Sequence, residues 1–174
     1  AFNEFDATNP PHVYGKSKQA GERFVNELNQ HHIIVRSSWV YTARPDDLLG
    51  RALLASAQGK TVPVPANQFA CPTSVDTFAK FVIAAMESDE FGTFHAACTG
   101  VTSRFEFFER AFVLAGQPTG NLRGTANPWQ GYRIELDDMM ARLTGVYEFP
   151  TWEDDLAAFA AEHDLAALAR GAQE

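Results

Sequence analysis

Positive charge is scarce in this chain: 14 Lys and Arg stand against 22 Asp and Glu among 174 residues, a net charge of −8. No cluster of basic residues could form a stripe that tracks phosphates, so nucleic acid and anionic membranes are poor partners. Long apolar runs are missing as well, and none approaches the roughly 20 residues that cross a bilayer. The opening stretch, AFNEFDATNP, is acidic and lacks the basic-then-apolar order of a signal peptide. Cysteine is nearly absent. Cys71 and Cys98 lie in unrelated contexts without metal spacing, and read as small buried residues of a reducing cytoplasm. There is no initiator Met, no internal repeat and no low-complexity segment. Ala1 opens residues that read as the middle of a loop, as in a fragment or a trimmed chain.

What is present describes a packed globular protein: 45% apolar residues and 12% aromatic, with 14 Phe, in a chain long enough for one sizeable core. Residues 14–30 read as an amphipathic helix leading into His31 and His32. The run IIVRSSWVY (33–41) begins as a buried β-branched strand. A helix over 47–58 follows, with Gly59 as its C-cap. TVPVP is then a short extended piece whose prolines suit a sheet edge. Thr73 or Ser74 caps a helix carrying Val75, Phe78, Ala79, Val82 and Ile83 at helical spacing. Residues 92–97 read as a strand. Ser103 and Glu106 form a capping box for a helix running to Gly116. Thr151 and Asp154 frame a weaker box, and DLAALAR a final short helix. The stretch 117–128 reads as a loop. Helices alternating with short strands predict an α/β fold.

Tyr14 and Lys18 are four residues apart and so share one helix face. A free tyrosine, with a pKa of about 10, is a poor acid-base catalyst at neutral pH. A neighbouring ammonium favours the phenolate, which is the change such a catalyst needs. The spacing alone is commonplace, and its context gives it weight.

VYGKSKQAGE, followed after a helix by VRSSWVY, resembles the extended, nucleotide-sugar-modifying branch of the short-chain dehydrogenase/reductase superfamily. There Y-G-x-S-K-x-x-G-E is the active-site helix and R-x-S-x-V-Y the strand after it. NQFACPTSVDTFAKFV looks like the D-Q-x-G-x-P-T segment of the dTDP-4-dehydrorhamnose reductase family. GTFHAACTGVTSRFEFFERAF resembles that family's G-x-Y-H…G-x-x-S-W-x-E-F-A stretch, and YRIELDDMMARLTGVYEFPTWEDDLAAF its closing segment. The likeness runs from about Pro11 to Phe159, over what would be the C-terminal half of such an enzyme.

The resemblance implies the last parallel strands of a Rossmann-like fold plus a small substrate lobe. About 1–60 would end the Rossmann-like domain and carry the Tyr/Lys helix; about 61–174 would be mainly the lobe with a returning strand. It implies an oxidoreductase of dTDP-rhamnose and cell-wall polysaccharide synthesis, cytoplasmic, using NADPH or NADH. Tyr14 would protonate the C4 oxygen of a dTDP-4-keto-6-deoxy sugar as a hydride arrives. Lys18 would bond the nicotinamide ribose and tune the tyrosine. Ser38 would line the nicotinamide pocket and Trp39 the sugar pocket, while Pro72 and Thr73 would sit on the substrate side. No metal is implied, and a homodimer is open.

Three departures stand out. The chain has no G-x-x-G-x-x-G loop to feed phosphates onto a helix N-terminus, so taken alone it should bind cofactor weakly or not at all. ARPDDLLGRA replaces an Asn-Phe pair. Asn127 stands where an arginine is expected, with Arg123 and Arg133 the nearest basic residues. Two other readings stay open: a nucleotide-sugar epimerase or dehydratase of the same superfamily, and a non-catalytic module resembling the regulatory subunit of methionine adenosyltransferase. Plainer roles are expected for several polar residues: an ion pair for Arg36, a core position for His95, helix-end cations for His31 and His32, and solvated helix-start acids for Asp46, Asp47, Asp154 and Asp155.

Overall fold

The computed structural model describes residues 1–170; the last four positions of the expected 61–174 segment lie outside the described residues. The architecture is α/β. Helix α1 (Val13–Leu28) leads into strand β1 (Ile33–Ser37), which pairs in parallel with β6 (Gly92–Ala96). The expected strand over 33–41 is broken in two. After Ser37 the chain turns at Ser38 and Trp39, and β2 (Val40–Tyr41) pairs instead with β5 (Thr73–Ser74). The break follows from a change of partner, since the Thr73 N–H donates to the Trp39 carbonyl at 2.8 Å.

Helix α2 (Leu48–Ala57) is capped by the Asp47 carboxylate, which accepts from the Leu49 and Gly50 N–H groups. Gly50 is required there: a Cβ would lie 2.2 Å from the Arg44 carbonyl oxygen. Among the described residues strand β3 (Val62–Pro65) pairs only with β8 (Leu122–Thr125), and on its other edge its prolines cost no ladder bond. The segment 117–128 is therefore not simply a loop. It holds a 3₁₀ turn (Thr119–Asn121) and then β8, drawn into pairing by the buried Leu122. Strand β4 (Gln68–Ala70) lies between β7 (Thr102–Ser103) and β9 (Tyr132–Arg133).

Ser74 is the cap of α3 (Val75–Glu87), its hydroxyl accepting from the Thr77 N–H. Helix α4 (Arg104–Leu114) begins at the Ser103–Glu106 capping box, and the short α5 (Met139–Thr144) ends at the left-handed Gly145. Helix α6 (Trp152–Glu162) is capped by Thr151, and α7 (Leu165–Arg170) closes the described chain.

Two cores result. One gathers Leu49, Leu53, Phe107, Phe112, Leu156 and Phe159 from α2, α4 and α6. The other packs Phe81, Phe94 and Phe149 on the β1–β6 pair, with Phe81 ring centroids 5.9 and 5.3 Å from its two partners. Burying each such side chain is worth roughly 1.5–3 kcal/mol. Cys71 and Cys98 are buried free thiols, and burial pushes both above the ordinary thiol range. Among the described residues no helix is long and apolar enough to cross a membrane.

Candidate active site

Helix α1 lies on the surface with none of its residues buried. What holds it is polar. Glu22 accepts from Arg36 Nε and Nη2 at 3.0 and 2.7 Å, a two-pronged pair that ties α1 to β1. Gln19 Nε2 donates to the carbonyl and hydroxyl of Thr8, pinning the N-terminal segment across the same helix. That segment comes so close that a Cβ at Gly15 would meet the Pro10 Cβ at 2.7 Å, which accounts for the glycine beside Tyr14.

Tyr14 is 74% exposed at the first turn. The Lys18 ammonium lies 5.5 Å from its ring centroid and has no ion-pair partner among the described residues. Lys18 also lines a cavity of about 670 Å³ with Gly15, Ser37, His95 and Leu136. His95 is a core residue, its Nδ1 3.0 Å from the Asp137 carbonyl. Beneath it the buried Glu4 accepts from the His95 and Met140 N–H groups through Oε1, while Oε2 is buried without a partner.

The other four expected site residues converge where β1 gives way to β2. Ser38 Oγ accepts from the Cys71 N–H at 3.2 Å. Thr73 and Pro72 are sealed from solvent, and Thr73 Oγ1 accepts from the Cys98 N–H at 3.0 Å. Trp39 is held on two sides: its indole N–H donates to Tyr132 Oη at 3.0 Å, and the Arg104 guanidinium carbon lies 4.4 Å from its ring centroid. Ser38, Trp39 and Arg104 line a second cavity, of about 300 Å³. The structure thus groups Tyr14 with Lys18 on α1, and Ser38, Trp39, Pro72 and Thr73 at the β2–β5 crossing. Lys18 of the first group lines one cavity and Ser38 and Trp39 of the second line another, with Ser37 on the first and Ser38 on the second adjacent in the chain.

Asp155 is not the solvated helix-start acid expected from its position. It is 4% exposed and accepts from Tyr41 Oη, the Ser74 N–H, Ser74 Oγ and Thr77 Oγ1 at 2.8, 2.7, 2.8 and 2.5 Å. Burial raises the Tyr41 pKa above its ordinary range and Asp155 raises it further. Asp154 remains exposed as expected. Asp76, Glu162 and His163 bring three donor atoms within 4.8 Å of one another, and His163 Nε2 already lies 2.6 Å from Asp76 Oδ2.

A family model described as the RmlD substrate binding domain matches residues 1–165. The chain belongs to this family. Among curated relatives, dTDP-4-dehydrorhamnose reductase of Sinorhizobium fredii is 33% identical over 126 residues, 68% of this chain and 43% of the relative. The probable low-salt glycan biosynthesis reductase Agl14 of Haloferax volcanii is 33% identical over 174 residues, 92% of this chain and 57% of the relative. The crystal structure of dTDP-4-dehydrorhamnose reductase from Bacillus anthracis in complex with NADP superposes with a TM-score of 0.83 at 28% identity, covering 92% of this chain and 59% of that one. The chain therefore spans about half the length of the curated relatives it matches. The fold is that of part of a Rossmann-like reductase.

Sequence alone does not single out Arg104, Tyr132 or Glu4, whose contacts with Trp39 and His95 only the fold creates. Tyr132 lies 93 positions from the tryptophan it supports. Arg104 had one signal: it occupies the Trp position of the S-W-x-E-F-A pattern, a substitution that changes shape and charge together.

Proposed function

We propose that this chain is the catalytic-helix and sugar-binding part of an NAD(P)H-dependent reductase acting on the C4 ketone of a dTDP-4-keto-6-deoxy sugar. The observation that carries the reading is the Tyr14–Lys18 pair on one exposed turn of α1, with Lys18 opening onto a cavity in a chain of the RmlD family. The nicotinamide cofactor would supply a hydride to the sugar carbon when bound.

The residues of this chain fit one end of that cofactor. Lys18 offers the nicotinamide ribose an ammonium with no ion-pair partner among the described residues, whereas Ser38 lines the other cavity, with Trp39. Nothing in the sequence offers the glycine loop that a dinucleotide's phosphates require. Tyr14 gives its phenolic proton to the C4 oxygen as the carbonyl becomes an alcohol, and a nearby ammonium steadies the phenolate left behind. Trp39 offers the sugar a ring fixed in orientation by Tyr132. Pro72 and Thr73, buried behind it, position that ring rather than touch the ligand.

The test is NADPH and NADH oxidation with dTDP-4-dehydrorhamnose, using the gene product that carries this chain. Tyr14→Phe should lower kcat by about 100-fold or more, the size of a general-acid contribution, with little change in sugar affinity. A folded protein that turns over with neither cofactor would overturn the proposal and favour a binding role.

A further inference from the structure

Arg104 is the first residue of α4, and no carboxylate among the described residues pairs with it. The guanidinium lies over Trp39, while Nε is sealed from solvent with no hydrogen-bond partner. Among the described residues Arg104 makes no ion pair. Glu106 and Asp47 both accept hydrogen bonds from other groups, Glu106 through Oε2, and neither pairs with Arg104. Glu106 is bonded to the Ser103 N–H and hydroxyl and to Thr102 Oγ1. Asp47, on the same cavity, spends one oxygen on Leu49 and Gly50 N–H and the other on the N–H and hydroxyl of Thr42.

An arginine cannot shed its proton, and a buried donor without an acceptor is costly. Stacking on an aromatic face answers the charge but uses none of the N–H groups. Arg104 lines both the 300 Å³ cavity beside Ser38 and Trp39 and an adjoining one of about 330 Å³ between α2 and β3. The Ser38 hydroxyl accepts from Cys71 and has no acceptor for its own proton among the described residues. A planar fork and a hydroxyl donor therefore face one space in a protein whose net charge is −8.

We infer that Arg104 is an anion-binding residue of the sugar site, and that the group it takes is the diphosphate of the sugar nucleotide. The inference rests on the reading above for the identity of the ligand. The fork holds two phosphate oxygens while the stack on Trp39 fixes the plane of the guanidinium. The same contact aligns Trp39 for the sugar that follows the diphosphate, so one arginine sets both affinity and register.

Calorimetric titration of the gene product with dTDP, pyrophosphate and thymidine tests this without turnover. The wild type should bind dTDP and pyrophosphate, more weakly as salt rises. Arg104→Gln should weaken dTDP binding about ten-fold or more and leave thymidine unaffected. Arg104→Lys keeps stem and charge but loses the fork, and covers the case in which the Gln variant fails to fold. It should lose several-fold of dTDP affinity. Unchanged dTDP affinity in either folded variant, or no binding of dTDP by the wild type, overturns the inference. Its failure is separable from that of the reductase reading. Turnover that depends on Tyr14 with a KM indifferent to Arg104 sinks only the arginine, whereas Arg104-dependent dTDP binding without turnover sinks only the reductase.

Discussion

Replacing Asp155 by asparagine would put an NH₂ group where two hydroxyl or N–H donors now find an oxygen, since the carboxylate accepts four hydrogen bonds from β2, β5 and α3. Each buried donor left without an acceptor typically costs about 1–3 kcal/mol, roughly 2–6 kcal/mol for two. Asp155→Asn should lower the urea-unfolding free energy by that order. Tyr41→Phe, which removes one donor and leaves the carboxylate three, should cost about 1 kcal/mol. A loss in Asp155→Asn no larger than in Tyr41→Phe would mean the network does not hold α6 to α3. Sequence could not reveal this residue. Asp154 and Asp155 are adjacent acids in the first turn of one helix, and only the packing of β5 and α3 against that turn decides which faces inward. Tyr14 and Lys18, by contrast, were readable because their relation is local: four residues on one helix.

Local relations also explain which elements were readable. The Ser103–Glu106 box needs only four residues, and both of its reciprocal bonds form. The strand over 33–41 and the loop over 117–128 differ from the structure because the split of the first at Ser38 and the pairing of the second with β3 depend on partners 33 to 60 positions away. The box carries a pH signature. Hydrogen bonds from the Ser103 backbone and then its hydroxyl hold Glu106 below the ordinary glutamate range. A lowered native value means the unfolded chain takes up the proton first. The contribution is therefore complete above the unfolded value, about 4.3, and is lost as pH falls through the native one. Ser103→Ala should cost about 1 kcal/mol near neutral pH, and Glu106→Gln should flatten the acid limb of stability against pH. An acid limb as steep in Glu106→Gln as in wild type would show that the carboxylate is not titrating against this cap.

At the scale of the whole molecule, stability is unevenly spread. Helices α2, α4 and α6 share one core and α3 packs into the other, whereas α1 buries nothing and leaves Phe24, Val25 and Leu28 exposed. An element with few buried apolar contacts opens at low cost, well below global unfolding. The backbone amides of α1 should therefore exchange with deuterium earlier than those of α4 and α6. Glu22→Gln should hasten exchange in α1 and leave α4 unchanged, because the pair with Arg36 is the main tie to β1. This matters for Tyr14 and Lys18, whose spacing exists only while the helix does. A ligand held by Lys18, or a further protein surface covering the exposed apolar face, would slow exchange by adding the contacts that α1 lacks. Equal protection across α1, α4 and α6 in the chain alone would contradict this order, and would mean that the polar ties to Thr8 and Arg36 suffice to keep the proposed acid in place before any ligand arrives.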